Sequence, residues 1–178
     1  MKAVLMSIRP EWCKKILDGE KTVEIRKSCP AHGTPFKVYI YCTMTGSDKF
    51  FTDSLARNVD EWNLWKYPKR LGRVIGEFIC DDIRRIGPEY CVVKEDIESA
   101  ISGSCLTVPQ VKDYAGWKSG MSYADLKDLY GWHISDLKIY DEPVKLKNFQ
   151  AKRLDRRGGG LKDVCDPPQS WFYVEDGR

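Results

Sequence analysis

Between Pro10 and Asp18 apolar side chains recur every fourth residue, Trp12 with Ile16 and Cys13 with Leu17, and a few residues later they recur every second, Val23 with Ile25. The first spacing predicts one apolar face of a helix of about two and a half turns, the second a strand from Thr22 to Arg26 with one side in the core. Pro10 suits the first helical position and Gly19 the position just past the end. Thr22, Glu24 and Arg26 are then expected on the strand face opposite Val23 and Ile25.

The rest of the pattern predicts further strands. Lys2 to Ile8 is a near-continuous apolar run, Phe36 to Thr43 alternates Val38, Ile40 and Cys42 against Tyr39, Tyr41 and Thr43, and Arg73 to Ile86 reads as one long strand. Within that last run, Gly76 suggests a bulge or a close approach of backbone to a ligand. Lys138 to Phe149 and Ser170 to Glu175 complete about six strands, which suits an α+β, β-rich fold: a small mixed barrel with flanking helices. Two helical insertions are expected near 47–72 and 89–132. The second holds one helix at Pro109 to Ala115 and another at Ser122 to Tyr130, capped by Ser122 and ended by Gly131.

With 178 residues, 42% of them apolar, the chain is long enough for one domain with a substantial core, and one domain over 1–178 is the expectation. No run reaches the length of about 18 apolar residues that a membrane helix needs, and the N-terminus lacks a signal-peptide pattern, so a soluble cytoplasmic protein without membrane contact is predicted. Seven cysteines without a framework spacing fit reduced thiols. Cys29 and His32 have a ligand-like gap, but no second pair follows at similar spacing, and neither a metal site nor a cofactor is predicted.

A net charge of +3 says little by itself. Its distribution adds more: Lys145, Lys147, Lys152, Arg153, Arg156, Arg157 and Lys162 face only Asp155, and Gly158 to Gly160 predict a flexible basic loop near 150–163. Such a loop can follow a phosphate backbone by counterion release, and it can equally be only a solvated surface. Trp62, Trp65 and Tyr67, interleaved with Lys66, Lys69, Arg70 and Arg73, combine stacking and basic groups, although a spacing of three between the tryptophans also suits a helix core. If that patch is exposed, a protein partner is the competing use.

The densest chemistry lies in Gly19-Glu-Lys-Thr-Val-Glu-Ile-Arg26. Glu24 and Arg26 stand roughly 7 Å apart on one strand face, and the stem of Lys21 can swing over the same side. The same spacing also describes an ordinary surface ion pair, worth about 0–1 kcal/mol. Arg9 can pair with Glu24 or close a helix end, and His32 and His133 stand in no triad spacing.

The octapeptide resembles the G-x-K-x-x-E-x-R signature of the ASCH domain family, a branch of the PUA-like superfamily, with all four fixed positions met. Ser7-Ile8-Arg9-Pro10 is similar to the strand-to-helix lead-in of that family, so the specific resemblance covers residues 3 to 26. It implies a small β-barrel whose signature lines a cleft and binds RNA or a nucleotide. Ser7, Arg9, Lys21, Thr22, Glu24 and Arg26 would border that cleft. Ser170 and Trp171, stiffened by Pro167-Pro168, would lie at its end, and Lys152, Arg153, Arg156 and Arg157 would contact the nucleic-acid backbone.

Hydrolysis is the alternative. Some relatives in the superfamily are amidohydrolases that remove an acetyl group from acetylcytidine; those resemble this chain at Lys21 but carry a threonine where Glu24 stands. Other family members are proposed ribonucleases in which the lysine stabilises phosphate. Lys21 and Glu24 would then be catalytic, with Thr22 the nearby hydroxyl.

Overall fold

The computed structural model describes residues 3–44, 70–87, 94–118, 120–153 and 160–176. Ten strands and three α-helices lie among them: β1 (Ala3–Ile8), α1 (Pro10–Leu17), β2 (Val23–Arg26), β3 (Phe36–Cys42), β4 (Arg73–Cys80), β5 (Ile83–Ile86), α2 (Lys94–Ala100), α3 (Val108–Ala115), β6 (Leu129–His133), β7 (Ser135–Val144), β8 (Gln150–Arg153), β9 (Gly160–Asp163) and β10 (Trp171–Val174). The strands form a five-stranded sheet ordered β10-β1-β3-β4-β7, a three-stranded sheet ordered β2-β6-β5 and the ribbon β8-β9. The α+β, strand-rich class is as expected. No closed barrel is found among the described residues.

Contacts divide the chain into two compact units, Met1–Leu17 with Phe36–Phe78 and Asp136–Arg178, and Asp18–Pro35 with Ile79–Ser135. In the first, β1 runs parallel to β3 and antiparallel to β10, and every residue of β1 is buried, as a central strand covered on both faces requires. One side of this sheet places Ala3, Leu5, Tyr39, Tyr41 and Val74 against Phe149, Ala151 and Val164 around the ribbon. Gly76 sits where a Cβ would come within 2.6 Å of the Lys138 carbonyl, so the close approach expected there is to the backbone of β7 and not to a ligand.

In the second unit β6 is the central strand, antiparallel to β2 and to β5. Its inner face packs Ile25, Ile86 and Leu129 against Ile97 and Ala100 of α2, Val111 of α3 and Trp117. α3 is held by a reciprocal cap: Thr107 Oγ1 accepts from the Gln110 amide, and Gln110 Oε1 accepts from the Thr107 amide at 2.9 Å.

Several boundaries differ from the pattern. The predicted strand from Arg73 to Ile86 is two strands, broken at Asp81-Asp82, where the Asp82 carbonyl accepts the amide of His133 at 3.0 Å instead of continuing β4. The helix expected at Ser122 to Tyr130 is a single 3-10 turn at Tyr123–Asp125 followed by β6. Tyr130 and Trp132 belong to a period of two, and Gly131 is the close-packed centre of a strand, with Val23 Cγ1 only 3.1 Å from where its Cβ would be. The expected strand at Lys138 to Phe149 is β7, beginning at Ser135 and ending at Val144, followed by a 3-10 turn at Leu146–Asn148. Parts of the expected flexible loop are the paired strands β8 and β9. The aromatic patch at Trp62, Trp65 and Tyr67 lies outside the described residues.

Candidate functional site

The segment between α1 and β2 is short because the helix stops at Leu17 and Lys21 already belongs to the approach to the strand. Residues 101–104, after α2, turn back against it. Gly103 has φ +78°, and a Cβ there would run into Thr22 Oγ1, so this turn accepts little besides glycine. Its carbonyl takes two hydrogen bonds, from the amides of Thr22 at 2.9 Å and Val23 at 3.0 Å. The next carbonyl, that of Ser104, receives Lys21 Nζ at 2.6 Å.

Lys21 is thereby aimed at Glu24. Its Nζ lies 3.3 Å from Glu24 Oε2, while Arg26 Nη2 lies 3.0 Å from Glu24 Oε1, so each carboxylate oxygen meets one cation. The three side chains are 2%, 8% and 9% exposed. That enclosure separates them from a surface ion pair: at such burial desolvation costs several kcal/mol per ion, about as much as attraction returns, and removing one partner is strongly destabilising. Two cations and one carboxylate leave the group with a formal charge of +1. Ammonium and guanidinium N–H groups are donors of the kind that phosphate and carbonyl oxygens accept from.

Glu24 stands directly opposite Trp132 and Arg26 opposite Tyr130 on β6, which puts these aromatic side chains on the polar face of the sheet. Trp132 is fully buried. The alternation of Tyr130 and Trp132 around a glycine was the available signal for this strand, and the Ser-Gly-Ser run after a helical segment was the signal for the turn at 102–104.

The other expected residues divide by unit. Thr22 is exposed and precedes β2, so strand alternation does not carry its hydroxyl to Glu24; the hydroxyl lies at Gly103. In the first unit, Ser7 Oγ donates to the Pro168 carbonyl at 2.7 Å and the Ser7 amide donates to Ser170 O at 3.0 Å. Arg9 is exposed, and its carbonyl accepts from the amides of Trp12 and Cys13 to start α1. Trp171 is half-buried and edge-to-face with Tyr173, ring centroids 5.5 Å apart. Lys152 is exposed on β8, Arg153 ends that strand, and Arg156 and Arg157 lie outside the described residues.

Other titratable groups are structural in character. Burial, with Asp81 and Asp82 nearby, pushes the Cys80 thiol up to about 12, which makes it unreactive. The hydrogen bond from His133 at 2.6 Å holds the Asp81 carboxyl below the usual aspartate range. The six described cysteines are thiols, and among the described residues no three His, Cys, Asp or Glu side chains group as metal ligands. No described helix is long and apolar enough to cross a membrane.

This architecture is similar to solved structures of the ASCH protein of Zymomonas mobilis. The protein itself matches with a TM-score of 0.57 at 20% identity over 98% of this chain and 89% of its own. Two of its point mutants match with a TM-score of 0.58, at 20% identity over 99% and 92% and at 19% over 98% and 89%. The chain has an ASCH-domain fold. No family model matches the sequence, and no curated protein does. The ASCH likeness spans nearly the whole chain, well beyond residues 3 to 26 that carry the signature.

Proposed function

We propose that the chain binds RNA or a nucleotide at Lys21, Glu24 and Arg26. The observation that carries this reading is the enclosure of two cations around one carboxylate, with Glu24 and Arg26 on one face of β2 and Lys21 reaching in from the approach to that strand, each ion pair within 3.3 Å. Lys21 and Arg26 contact a phosphate or a base carbonyl, and Glu24 accepts from an exocyclic amine or holds Arg26 in place. In the first unit the exposed Lys152, with Lys147 and Lys162 on or beside the ribbon, is a separate candidate for contact with a phosphate backbone without sequence reading. The ASCH fold supports this reading as an architecture on which the signature residues form one group.

Anisotropy titrations with single-stranded and hairpin RNA at two salt concentrations test it. The Lys21→Ala plus Arg26→Ala variant is expected to weaken binding at least about tenfold and to flatten the salt slope. Because that variant leaves Glu24 buried between two alanines, Arg26→Gln, which removes the charge but keeps a polar N–H donor, is measured beside it. Unchanged affinity in both folded variants rejects the site.

Hydrolysis of a modified nucleoside is the second reading, favoured by one contact, Lys21 Nζ against Glu24 Oε2, which is a proton-relay geometry. Release of acetate from acetylcytidine, lost on Lys21→Ala, supports it; intact substrate after prolonged incubation rejects it.

A further inference from the structure

Residues directly opposite one another in an antiparallel pair share a face, with Cβ atoms about 4.5–5.5 Å apart. Arg26 is opposite Tyr130, and Tyr130 is opposite Arg85, so one row crosses all three strands of the second unit as Arg26, Tyr130, Arg85. The neighbouring row reads Glu24, Trp132, Ile83. These rows differ in access. Trp132 is fully buried, whereas the first row opens from Arg26, 9% exposed, through the half-buried Tyr130 to Arg85, 55% exposed.

The ends of that row are fixed. Arg26 is held by Glu24, and Arg85 donates from Nε and Nη2 to the two oxygens of Asp128 at 2.7 and 2.8 Å. Its centre is not: among the described residues the Tyr130 side chain makes no hydrogen bond, ion pair or ring contact. A half-buried aromatic ring next to a guanidinium, with its polar tip unused, is suited to stacking by a flat ligand.

We infer that Tyr130 is the stacking platform for a nucleobase whose own phosphate or carbonyl is held by Lys21 and Arg26. The inference rests on the nucleotide reading above and adds that the base, not only the backbone, is bound. In a nucleotide the sugar separates phosphate from base by a distance of the order of one cross-strand step, so both ends meet their partners on adjacent strands. The ring accepts any base, because every base has a π face; discrimination then falls to Glu24 and not to Tyr130.

The test is anisotropy on the full chain with a labelled single-stranded oligoribonucleotide and an abasic oligomer of the same length. Tyr130→Ala and Tyr130→Leu are expected to weaken binding of the base-bearing oligomer about tenfold and to leave the abasic one within twofold, while Tyr130→Phe binds as the native chain does. Lys21→Ala plus Arg26→Ala weakens both oligomers. If Tyr130→Ala and Tyr130→Leu have no effect, or weaken both oligomers equally, while the double variant still weakens both, the platform is overturned and the nucleotide site stands. If the native chain binds neither oligomer, or the double variant binds both as the native chain does, the nucleotide reading fails and the platform with it.

Discussion

Among the described residues each unit carries a group of paired charges, buried in the second and partly exposed in the first, and the two are built on opposite terms. In the second unit Lys21, Glu24 and Arg26 are 2–9% exposed and sum to +1. In the first, Lys37 Nζ lies 3.0 Å from Asp176 Oδ1 and 3.7 Å from Glu77 Oε1, while the hydroxyls of Tyr39 and Tyr140 donate to Asp176 and Glu77. That group is 14–18% exposed and sums to −1, and each carboxylate has its own hydroxyl donor. The hydroxyls let the negative group satisfy itself with neutral donors and fasten β3, β4, β7 and the C-terminal segment. The positive group has a carboxylate and a backbone carbonyl as acceptors for Lys21 and sets two cations against one anion. One arrangement is a clasp; the other is the group proposed above to take ligand oxygen atoms.

The sharpest way to break this contrast is to remove each carboxylate. Glu24→Ala leaves two cations facing each other at low exposure and is expected to cost about 3–5 kcal/mol by urea denaturation, against about 1–3 kcal/mol for Glu77→Ala, whose remaining partners are a hydroxyl and a lysine already shared with Asp176. Equal losses would erase the distinction in enclosure. Next comes Gly103→Ala, expected to cost about 1–2 kcal/mol from its left-handed backbone alone, with part of any further loss recovered when Thr22→Ala removes the colliding hydroxyl. If Gly103→Ala leaves stability unchanged, the turn that presents the Ser104 carbonyl to Lys21 is not what fixes the site.

The smallest effect concerns Asp176. Burial pushes its carboxyl up, but the hydrogen bonds from Lys37 and Tyr39 and the charge of Lys37 outweigh this and hold it below the ordinary aspartate value. A carboxyl lowered on folding contributes stability that is fully present above the unfolded value of about 3.9 and is lost as the pH falls through the folded one. The stability gap between the native chain and Asp176→Asn, about 1 kcal/mol near neutrality, is therefore expected to shrink as the pH drops below about 4. A gap that widens on acidification would assign the group the wrong sign.

The contrast also explains what could be read from the residues in order. Lys21, Glu24 and Arg26 lie within six positions: strand alternation puts Glu24 and Arg26 on one face, and the long stem of Lys21 can reach them from the approach to β2. Tyr39 and Asp176 are 137 positions apart, and no local pattern links them. β6 is hidden in the sequence for a related reason: its partners are β2 and β5, and without that pairing a short segment ending at a glycine looks like a helix end. Thr22 fails by one residue, since alternation holds only inside the strand that begins at Val23. The paired halves of the basic segment were hidden because glycines and like charges resemble a loop whether or not their flanks hydrogen-bond.

The central claim is best tested by following backbone and side-chain nuclear magnetic resonances of the isotopically labelled full chain during titration with a ribonucleoside 5′-monophosphate. Saturable shifts are predicted at Lys21, Glu24, Arg26 and Tyr130, with the Arg26 side-chain N–H among the largest. Shifts confined to the first unit, or none at concentrations where single-stranded RNA binds, would contradict it.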